Sequence, residues 1–535
     1  MRLNKLLIVM LVTVEAVFAQ ELGVTEVQVV EGFQPSIPDA TRLNENAVFA
    51  DTAERDRSQV YDVLDLDLGS NYKIKPLKAA KVKDDKIPKL YQSKISLGTG
   101  YRLGSNVSAL YNSVRSEDMS YGILFNHFNN NVKVDDKKAG QSNNNLHLYL
   151  KKIKTDKVYI VNLDYSRIGA FTHGNNPTDY NRFAYTKFSS SYVSMDKGPD
   201  RTIRDISFFV SDLNELSENH LHLSSNLSKI INDYPFNLKV KFNQYLNYNN
   251  KDSEYESVGE KVLELMPSAS IRRYDIDLDI GFALDVYGRE SVHYFPQINA
   301  SKELVKDVLL VYGGLRHSTE KNTLKLLSDK NLYIHSYGTN QSILTGDTDS
   351  YLQNLEFTST DELYVSMRNV LGKDEVFFGS ISFGEVTDFA HFTIEERVNY
   401  NRFIVNYIGS VWQFHVFSNY TKQINDIISL DASVDYFTWD QIVFHKPDLI
   451  IKVKTPINLR NKIKAIPSFS YESGRFSRED VLPSLLYLNI RAFYSYSKQL
   501  EAYLQLNNLT NSKKELFVGY KDIGFNGVFG ISYSF

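Results

Sequence analysis

In the last eleven residues, Phe525 to Phe535 (FNGVFGISYSF), the final part alternates large apolar side chains with small or polar ones, and this pattern indicates the fold once it is seen to recur. In an extended strand, every second side chain lies on the same face. One face is therefore apolar and aromatic, as expected of a strand that contacts lipid, and we expect this face to act as the signal for barrel assembly. The residues of the expected assembly signal are Phe529, Ile531, Tyr533 and Phe535.

The same alternation recurs far from the carboxy terminus. It is present in residues 276–285 (IDLDIGFALD), 428–436 (ISLDASVDY) and 486–496 (LYLNIRAFYSY). A single strand of this kind would also suit a soluble β-sandwich, but strands this long can cross a bilayer at a tilt. Their repetition predicts an all-β fold, a large transmembrane antiparallel β-barrel.

The composition agrees with a barrel and excludes some functions. The 535 residues include 35 Tyr and 32 Phe but only 13 Pro and no Cys, and the mean hydropathy is -0.31. A slightly polar average suits a barrel, because only every second residue faces lipid. No apolar run reaches the roughly 18 residues of a spanning helix. The net charge of -4 and the lack of a basic recognition helix argue against a nucleic-acid partner.

Short and long connections alternate along the chain, as they do when turns lie at one rim of a barrel and loops at the other. Counting strands through this alternation predicts about 22 strands between Tyr91 and Phe535. We expect the short connections in the periplasm and the long ones outside the cell. The short connections are residues 115–118, 154–157, 232–235, 372–374, 422–426 and 497–500, and the long ones are 129–145, 167–181, 318–350 and 472–483.

The chain begins with the features of a cleavable secretory signal, for which we expect residues 1–19. Residues 20–90 form a segment of a different kind, which precedes the barrel of residues 91–535. This segment ends in a lysine-rich run. The run is either a solvated linker or an arm that docks into an acidic lumen or onto a periplasmic partner. Its lysines are Lys73, Lys75, Lys78, Lys81, Lys83, Lys86 and Lys89.

Charged residues occur on the strand faces that alternate with the apolar ones, and these faces should line the lumen. They form an acidic column on one strand and basic pairs on two others. Either the charges pair across the barrel and stabilise its interior, or they form a polar surface that holds the lysine-rich run or a solute. The acidic column is Asp275, Asp277, Asp279 and Asp285, and the basic pairs are Lys239 with Lys241 and Lys452 with Lys454.

No motif for catalysis or for a cofactor stands out. The chain has no Cys, no G-x-S-x-G and no H-E-x-x-H. His220 and His222 share a strand face as two metal ligands would, but the sequence offers no third ligand, so we interpret them as polar residues near a strand rim. We therefore expect a protein that is not an enzyme and that has no cofactor and no metal.

The carboxy-terminal segments 504–511 (LQLNNLTN) and 527–535 (GVFGISYSF) resemble the last two strands of TonB-dependent receptor barrels. His445-Lys446-Pro447, before the strand at residues 449–454, resembles a loop-to-strand entry of the same barrels. Residues 27–51 are similar to the start of TonB-receptor-like proteins of the Bacteroidetes group. The resemblance covers most of the expected mature chain.

This resemblance implies an outer-membrane barrel that takes part in nutrient transport. It implies as partners the outer-membrane lipid, the barrel-assembly machinery, and TonB or another periplasmic or outer-membrane protein. Receptors of this family carry a plug domain that is longer than residues 20–90, so we expect a chain without a full plug. The alternative is a non-transport barrel that serves as scaffold or accessory subunit of an outer-membrane assembly, secretion or surface complex.

Overall fold

The computed structural model describes residues 90–535 with the exception of residues 115, 175–177, 196–201, 215, 249–257, 288–290, 336, 342–347, 353–354, 395–402 and 479. The expected signal sequence and all seven lysines of the lysine-rich run lie outside the described residues. No helix in the described part of the chain is long and apolar enough to span a membrane.

Twenty-two antiparallel strands close into a barrel, which confirms the predicted fold. Strands that follow one another in the chain are paired, and the first also pairs with the last, from Lys94–Ser534 to Tyr101–Gly527. The eighteenth strand has two segments, both paired with the nineteenth. The strands are β1 (Ser93–Tyr101), β2 (Leu103–Asn112), β3 (Met119–Asn129), β4 (Gln141–Lys154), β5 (Lys157–Phe171), β6 (Tyr180–Met195), β7 (Ile203–Leu213), β8 (Glu218–Ile231), β9 (Tyr234–Asn247), β10 (Val258–Arg273), β11 (Ile276–Tyr287), β12 (Ser291–Val305), β13 (Leu309–Lys321), β14 (Phe357–Gly372), β15 (Glu375–Ile394), β16 (Phe403–Gln423), β17 (Ser429–Trp439), β18 (Leu449–Lys454 and Ile457–Leu459), β19 (Ile463–Glu472), β20 (Leu485–Ser495), β21 (Leu500–Asn507) and β22 (Asn526–Ser534).

The two rims of the barrel differ in their connections. All the predicted short connections lie at one rim, the turn end, and all the predicted loops lie at the other, the loop end. The loop after β3 is shorter than predicted, because β4 begins at Gln141. Tyr274 and Asp275 form a two-residue turn in which both φ angles are positive, 52° and 57°, a conformation typical of tight hairpins. The prediction that Asp275 belongs to a strand is therefore wrong.

The predicted register of the last strand is confirmed. Phe529, Ile531 and Tyr533 are 62%, 57% and 47% exposed, and Phe535 is 53% exposed. Ser532, on the opposite face, is buried, and its hydroxyl lies 2.7 Å from that of Ser96 across the closure of the barrel. The predicted assembly signal thus lies on the lipid face.

Tyr503 of β21 packs against the closure between β22 and β1. A Cβ added at Gly98 or Gly530 would lie 2.2 or 2.5 Å from the Tyr503 hydroxyl oxygen. Both positions therefore leave room for the tyrosine only while they are glycine, a common role of glycine inside a strand.

Phe535 should matter more for assembly than its neighbour Ser534. We expect Phe535→Asp to lower the amount of assembled barrel several-fold, because it replaces a lipid-facing ring with a charge. Ser534→Asp introduces the same charge on the lumen side and should have little effect. The assembled fraction is measured as the fast-migrating band on unheated gels. Equal losses in the two variants would contradict the role assigned to Phe535.

Candidate functional site

The barrel wall divides into two layers at the loop end, between β12 and β13. The ladder between these strands stops at the pair Ile298–Leu315. From that point toward the loop end, β12 stays paired with β11 as far as Ser291, and β13 stays paired with β14 as far as Lys321. We term this division the wall split.

Two features of the sequence account for the wall split. Pro296 lies two residues beyond the last pair of the ladder and has no N–H to donate to a neighbouring strand. Gly313 and Gly314 let β13 approach its neighbours closely, since a Cβ at Gly314 would lie 1.8 Å from the carbonyl oxygen of Ile298. Because the backbones are this close at the two glycines, β13 can bend there, and beyond Leu315 it separates from β12.

Polar side chains fill the space between the two layers. The Nε2 atom of His317, on β13, lies 3.0 Å from Oδ2 of Asp285. Its Nδ1 atom forms a hydrogen bond with Asp361 of β14. Thr319 donates a hydrogen bond of 2.7 Å to Asp285. Because Asp285 faces the lumen from β11, these contacts place the upper part of β13 on the lumen side of β11.

These ionisable groups are buried. Asp285, Lys321 and His317 are 1%, 6% and 8% exposed. Lys321 is paired with Glu260 of β10, and its Nζ lies 4.5 Å from the centre of the Phe357 ring. Buried charges are tolerated when each has a partner, and loss of one partner is costly. The paired charges therefore hold the two layers in one arrangement.

A short helix, α1 (Leu324–Lys330), follows β13 and connects distant parts of the loop end. Leu324 and Leu327 belong to one buried cluster with Phe183 of β6, Leu213 of β7 and Val405 of β16. Strands β7 and β16 are far apart in the ring of strands. The helix therefore bridges the mouth of the barrel.

The first turn of α1 is fixed by polar contacts. The Glu218 carboxylate, at the start of β8, accepts hydrogen bonds from the backbone N–H groups of Leu324 (2.5 Å) and Lys325 (3.1 Å). The Thr323 hydroxyl accepts one from the N–H of Leu326 (3.1 Å). N–H groups that have no partner inside the helix are satisfied in this way.

Four loops interlock around this helix, and we term the described residues of 322–335, 440–448, 473–484 and 508–525 the cap. Tyr333 stacks on Tyr520 with ring centres 3.7 Å apart. Arg475 donates to the carbonyl oxygens of Leu516 (2.7 Å) and Glu515 (2.8 Å). The ring of His445, in the loop of residues 440–448, lies 5.6 Å from that of Phe517. Each loop therefore contacts another loop through its side chains, and the cap covers part of the mouth.

Two buried histidines in the loops of the loop end have lowered pKa values. Burial lowers the pKa of His445 to about 4, and the positive charges of Arg475 and His391 act in the same direction. The His445 Nδ1 lies 3.0 Å from the carbonyl oxygen of Phe392. Burial also lowers the pKa of His173, whose ring lies edge-on to Tyr520 at 5.1 Å. The closed cap therefore favours neutral histidines.

We expect the cap to loosen as the pH falls from about 6.5 to about 4. A histidine in open loops titrates near 6.5, whereas His445 in the closed cap titrates at about 4. The open form binds more protons throughout this window, so acidification favours it. The intrinsic exchange of free amides slows as the pH falls in this window. Hydrogen exchange of residues 440–448 should slow less than this intrinsic trend, so that their protection decreases, and His445→Gln should weaken this effect. Exchange that follows the intrinsic trend alone would contradict the expectation.

A cavity of about 360 Å³ lies between the cap and the inner wall at β20–β22, and we term it the chamber. The Tyr487 hydroxyl donates a 2.6 Å hydrogen bond to Asp522, and Lys521 forms a 2.8 Å ion pair with Asp135 of a neighbouring loop. Amides, tyrosine rings and charges of both signs therefore surround the space. Its lining includes Gln141, Tyr333, Tyr487, Asn489, Asn507 and Asn526.

The remaining residues of the predicted acidic column face the lumen but belong to separate contacts. Asp277 lies near the turn end, 3.5 Å from Arg272. Asp279 accepts a hydrogen bond from Asn299 at 3.3 Å, and Asp285 belongs to the wall split. The column therefore does not form a single site in the structure.

The predicted basic pairs also face the lumen. Lys241 forms a 2.5 Å ion pair with Glu264 of β10, and Lys239 lies on the same face of β9. Lys452 and Lys454 of β18 are directly opposite Ser433 and Asp431 of β17. That these residues hold a solute or the lysine-rich run stays a prediction.

His220 and His222 share one partner, the Asn243 side-chain oxygen, at 3.1 Å and 2.7 Å. Within the described residues, no group of three or more His, Cys, Asp or Glu is placed to hold a metal ion. The shared contact with Asn243 is consistent with the interpretation of the two histidines as polar residues near a strand rim.

Sequence reasoning missed the wall split and the chamber. The signals for the wall split were in the sequence, as Pro296 and the pair Gly313-Gly314. The chamber carried no such signal, because its lining comes from strands and loops that are distant in sequence.

Solved structures of siderophore receptors and of a copper transporter share this fold. A mutant of the ferric enterobactin receptor PfeA from Pseudomonas aeruginosa superposes with a TM-score of 0.59 at 10% identity, over 84% of this chain and 81% of the receptor. The siderophore receptor PirA from the same organism gives a TM-score of 0.59 at 12% identity, over 84% and 81%. The copper transporter OprC gives 0.57 at 12% identity, over 84% and 82%. The protein is an outer-membrane β-barrel. No protein-family profile and no curated protein sequence matches the chain.

Proposed function

We propose that this barrel takes up a nutrient across the outer membrane as a TonB-dependent receptor does, and that the chamber holds the solute. The observation that carries the proposal is the chamber, a cavity of about 360 Å³ next to an interlocked cap. Polar groups that converge on a pocket are typical of a binding site. The likeness to siderophore and copper transport barrels supports a receptor at the level of the fold.

Filling the chamber should stop uptake. Cells with and without the chain are grown in a complex medium, and mass spectrometry identifies any solute that only the first cells deplete. We expect Tyr487→Trp to lower that depletion about tenfold or more, because the larger ring occupies the chamber and leaves buried polar groups without partners. Tyr494→Trp on the same strand is the control, since Tyr494 is on the lipid face. If no solute depends on the chain, the proposal fails.

The segment of residues 20–90 belongs to this proposal as the part that occludes the lumen. A barrel of this strand number encloses a lumen that large outer-membrane transporters keep plugged. The lysine-rich run is suited to the carboxylates of the inner wall, such as Asp277 and Asp279. Coupling to TonB or to another periplasmic protein would act through this segment, as the sequence resemblance implies.

A scaffold or accessory subunit is the second candidate function. The cap favours it, because loops that bond to one another, as Arg475 does to Leu516, present a defined surface. A scaffold should retain a co-purifying protein that is lost when cap residues change, and cells lacking it should show no defect in solute depletion. The depletion experiment therefore separates the two candidates.

A further inference from the structure

The lipid-facing surface of the barrel has a basic half. On β4–β12, exposed lysines and arginines near the turn end occupy positions that alternate with lumen-facing residues. Among the described residues of these strands, no acidic residue occupies a lipid-facing position in the turn-end half. We term the following residues the basic arc: Lys152, Lys154, Arg204, Lys229, Arg273 and Lys302.

The register of the strands places the basic arc on the lipid face. In an antiparallel pair, directly opposite residues point to the same side of the sheet. Five arc residues are opposite apolar or aromatic residues that are exposed to the outside. These pairs are Lys152 with Met119 and Tyr159, Arg204 with Leu227, Lys229 with Phe236, and Arg273 and Lys302 with Ile276.

The basic arc lies at the depth of interfacial aromatic residues. The ring of Tyr159, opposite Lys152, lies 4.9 Å from the ring of Tyr192 at an angle of 41°, and Tyr234 is half exposed at the start of β9. Aromatic girdles mark the two membrane interfaces of a barrel. From this depth a lysine or arginine keeps its stem along apolar surface and extends its charge into the headgroups.

The other half of the barrel lacks such a surface. On β13–β22 and β1–β3, the lipid-facing charges described near the turn end are Glu375 and Lys422. They form an ion pair of 3.0 Å with each other. This half therefore carries no net charge at that depth, and the basic arc is confined to one side of the barrel.

We infer that the basic arc binds the phosphate groups of anionic phospholipids in the leaflet at the turn end. Each lysine or arginine near an anionic membrane surface contributes an affinity factor of about five. A soluble acidic protein would contact the turns and the rim, whereas the arc residues lie on lipid-facing positions such as that of Lys302, between Ala300 and Leu304. The inference is independent of the solute that the barrel takes up.

The test measures lipid preference of the full chain. The purified barrel is exchanged into micelles that contain phosphatidylglycerol or phosphatidylcholine with the same acyl chains, and bound lipid is counted by native mass spectrometry. We expect the native chain to prefer phosphatidylglycerol by about tenfold or more, and salt to reduce the preference. The variant Lys152→Gln/Lys154→Gln/Arg204→Gln should lose most of it.

The matched control is Lys239→Gln/Lys452→Gln/Lys454→Gln, which removes three positive charges from the lumen face instead. This variant should keep the preference. Equal retention of the two lipids by the native chain, or equal loss of preference in both variants, would overturn the inference.

Migration on unheated gels establishes that each variant is assembled. If the triple variant does not assemble, Lys152→Gln/Lys154→Gln replaces it. Binding of polyglutamate in place of phosphatidylglycerol, with the same sensitivity to substitution, would also overturn it.

Discussion

Gly314→Val should nearly abolish the assembled barrel. The added Cβ would lie 1.8 Å from the carbonyl oxygen of Ile298 and 2.7 Å from its carbonyl carbon. Both atoms belong to the backbone of β12, so no side-chain rotation can relieve the overlap. Either the ladder between β12 and β13 breaks on the turn-end side of Ile298, or β13 moves away from β12 and loses the contacts of His317. We expect a loss of roughly 3 kcal/mol or more in barrel stability, at the upper end of overpacking costs.

The control for this variant is Gly409→Val. Gly409 also lies within a barrel strand, β16, but a Cβ there meets no atom within 4 Å. The same increase in side-chain volume and β-propensity should therefore leave assembly unchanged. The two variants are compared by the fast-migrating band on unheated gels and by the urea midpoint of the assembled fraction. A Gly314→Val barrel as stable as the Gly409→Val barrel would contradict the close backbone approach at the wall split.

The sequence predicted the strand number, the two rims and the lipid face correctly. Its period of two is unambiguous in long strands, and a slip by one residue would turn every apolar side chain of β22 toward the lumen. The same rule failed at Asp275. The alternation of aspartates continues through Tyr274 and Asp275, but these two residues adopt positive φ and form the turn.

The partners of the lumen charges could not be predicted in this way. By alternation alone, His317 shares the face of Leu315 and would be assigned to lipid. It contacts Asp285 only because β13 bends inward at Gly313-Gly314 while β12 continues with β11. This arrangement depends on which strands stop pairing, a tertiary property that one strand's pattern does not contain. The chamber is a further example, since Tyr333 and Asn489 meet there from distant parts of the chain.

Removing the cap helix together with residues 20–90 should turn the barrel into an open pore. Lys321 and Phe357 are directly paired, so a short Gly-Ser linker in place of residues 324–354 can join β13 to β14 without disturbing the ladder. Leu355 is kept, because its carbonyl oxygen accepts a hydrogen bond from Lys321. The deletion removes Leu324, Leu327 and Tyr333 from the clusters that bridge the mouth.

Four proteins, all of which retain residues 1–19, separate the contributions of residues 324–354 and residues 20–90 in planar bilayers: the intact chain, each single deletion, and the double deletion. Because a ring of 22 strands is wide enough to need a plug, we expect the double deletion to conduct several-fold more than either single deletion. Equal conductance of the double deletion and the chain lacking only residues 20–90 would mean that residues 324–354 do not restrict the mouth. A chain that lacks only residues 324–354 and already conducts like the double deletion would show that residues 20–90 leave the lumen open. Tyr333→Ala, made in the chain lacking residues 20–90, removes the stack on Tyr520 but keeps the loop. Its conductance should lie between that of the chain lacking only residues 20–90 and that of the double deletion.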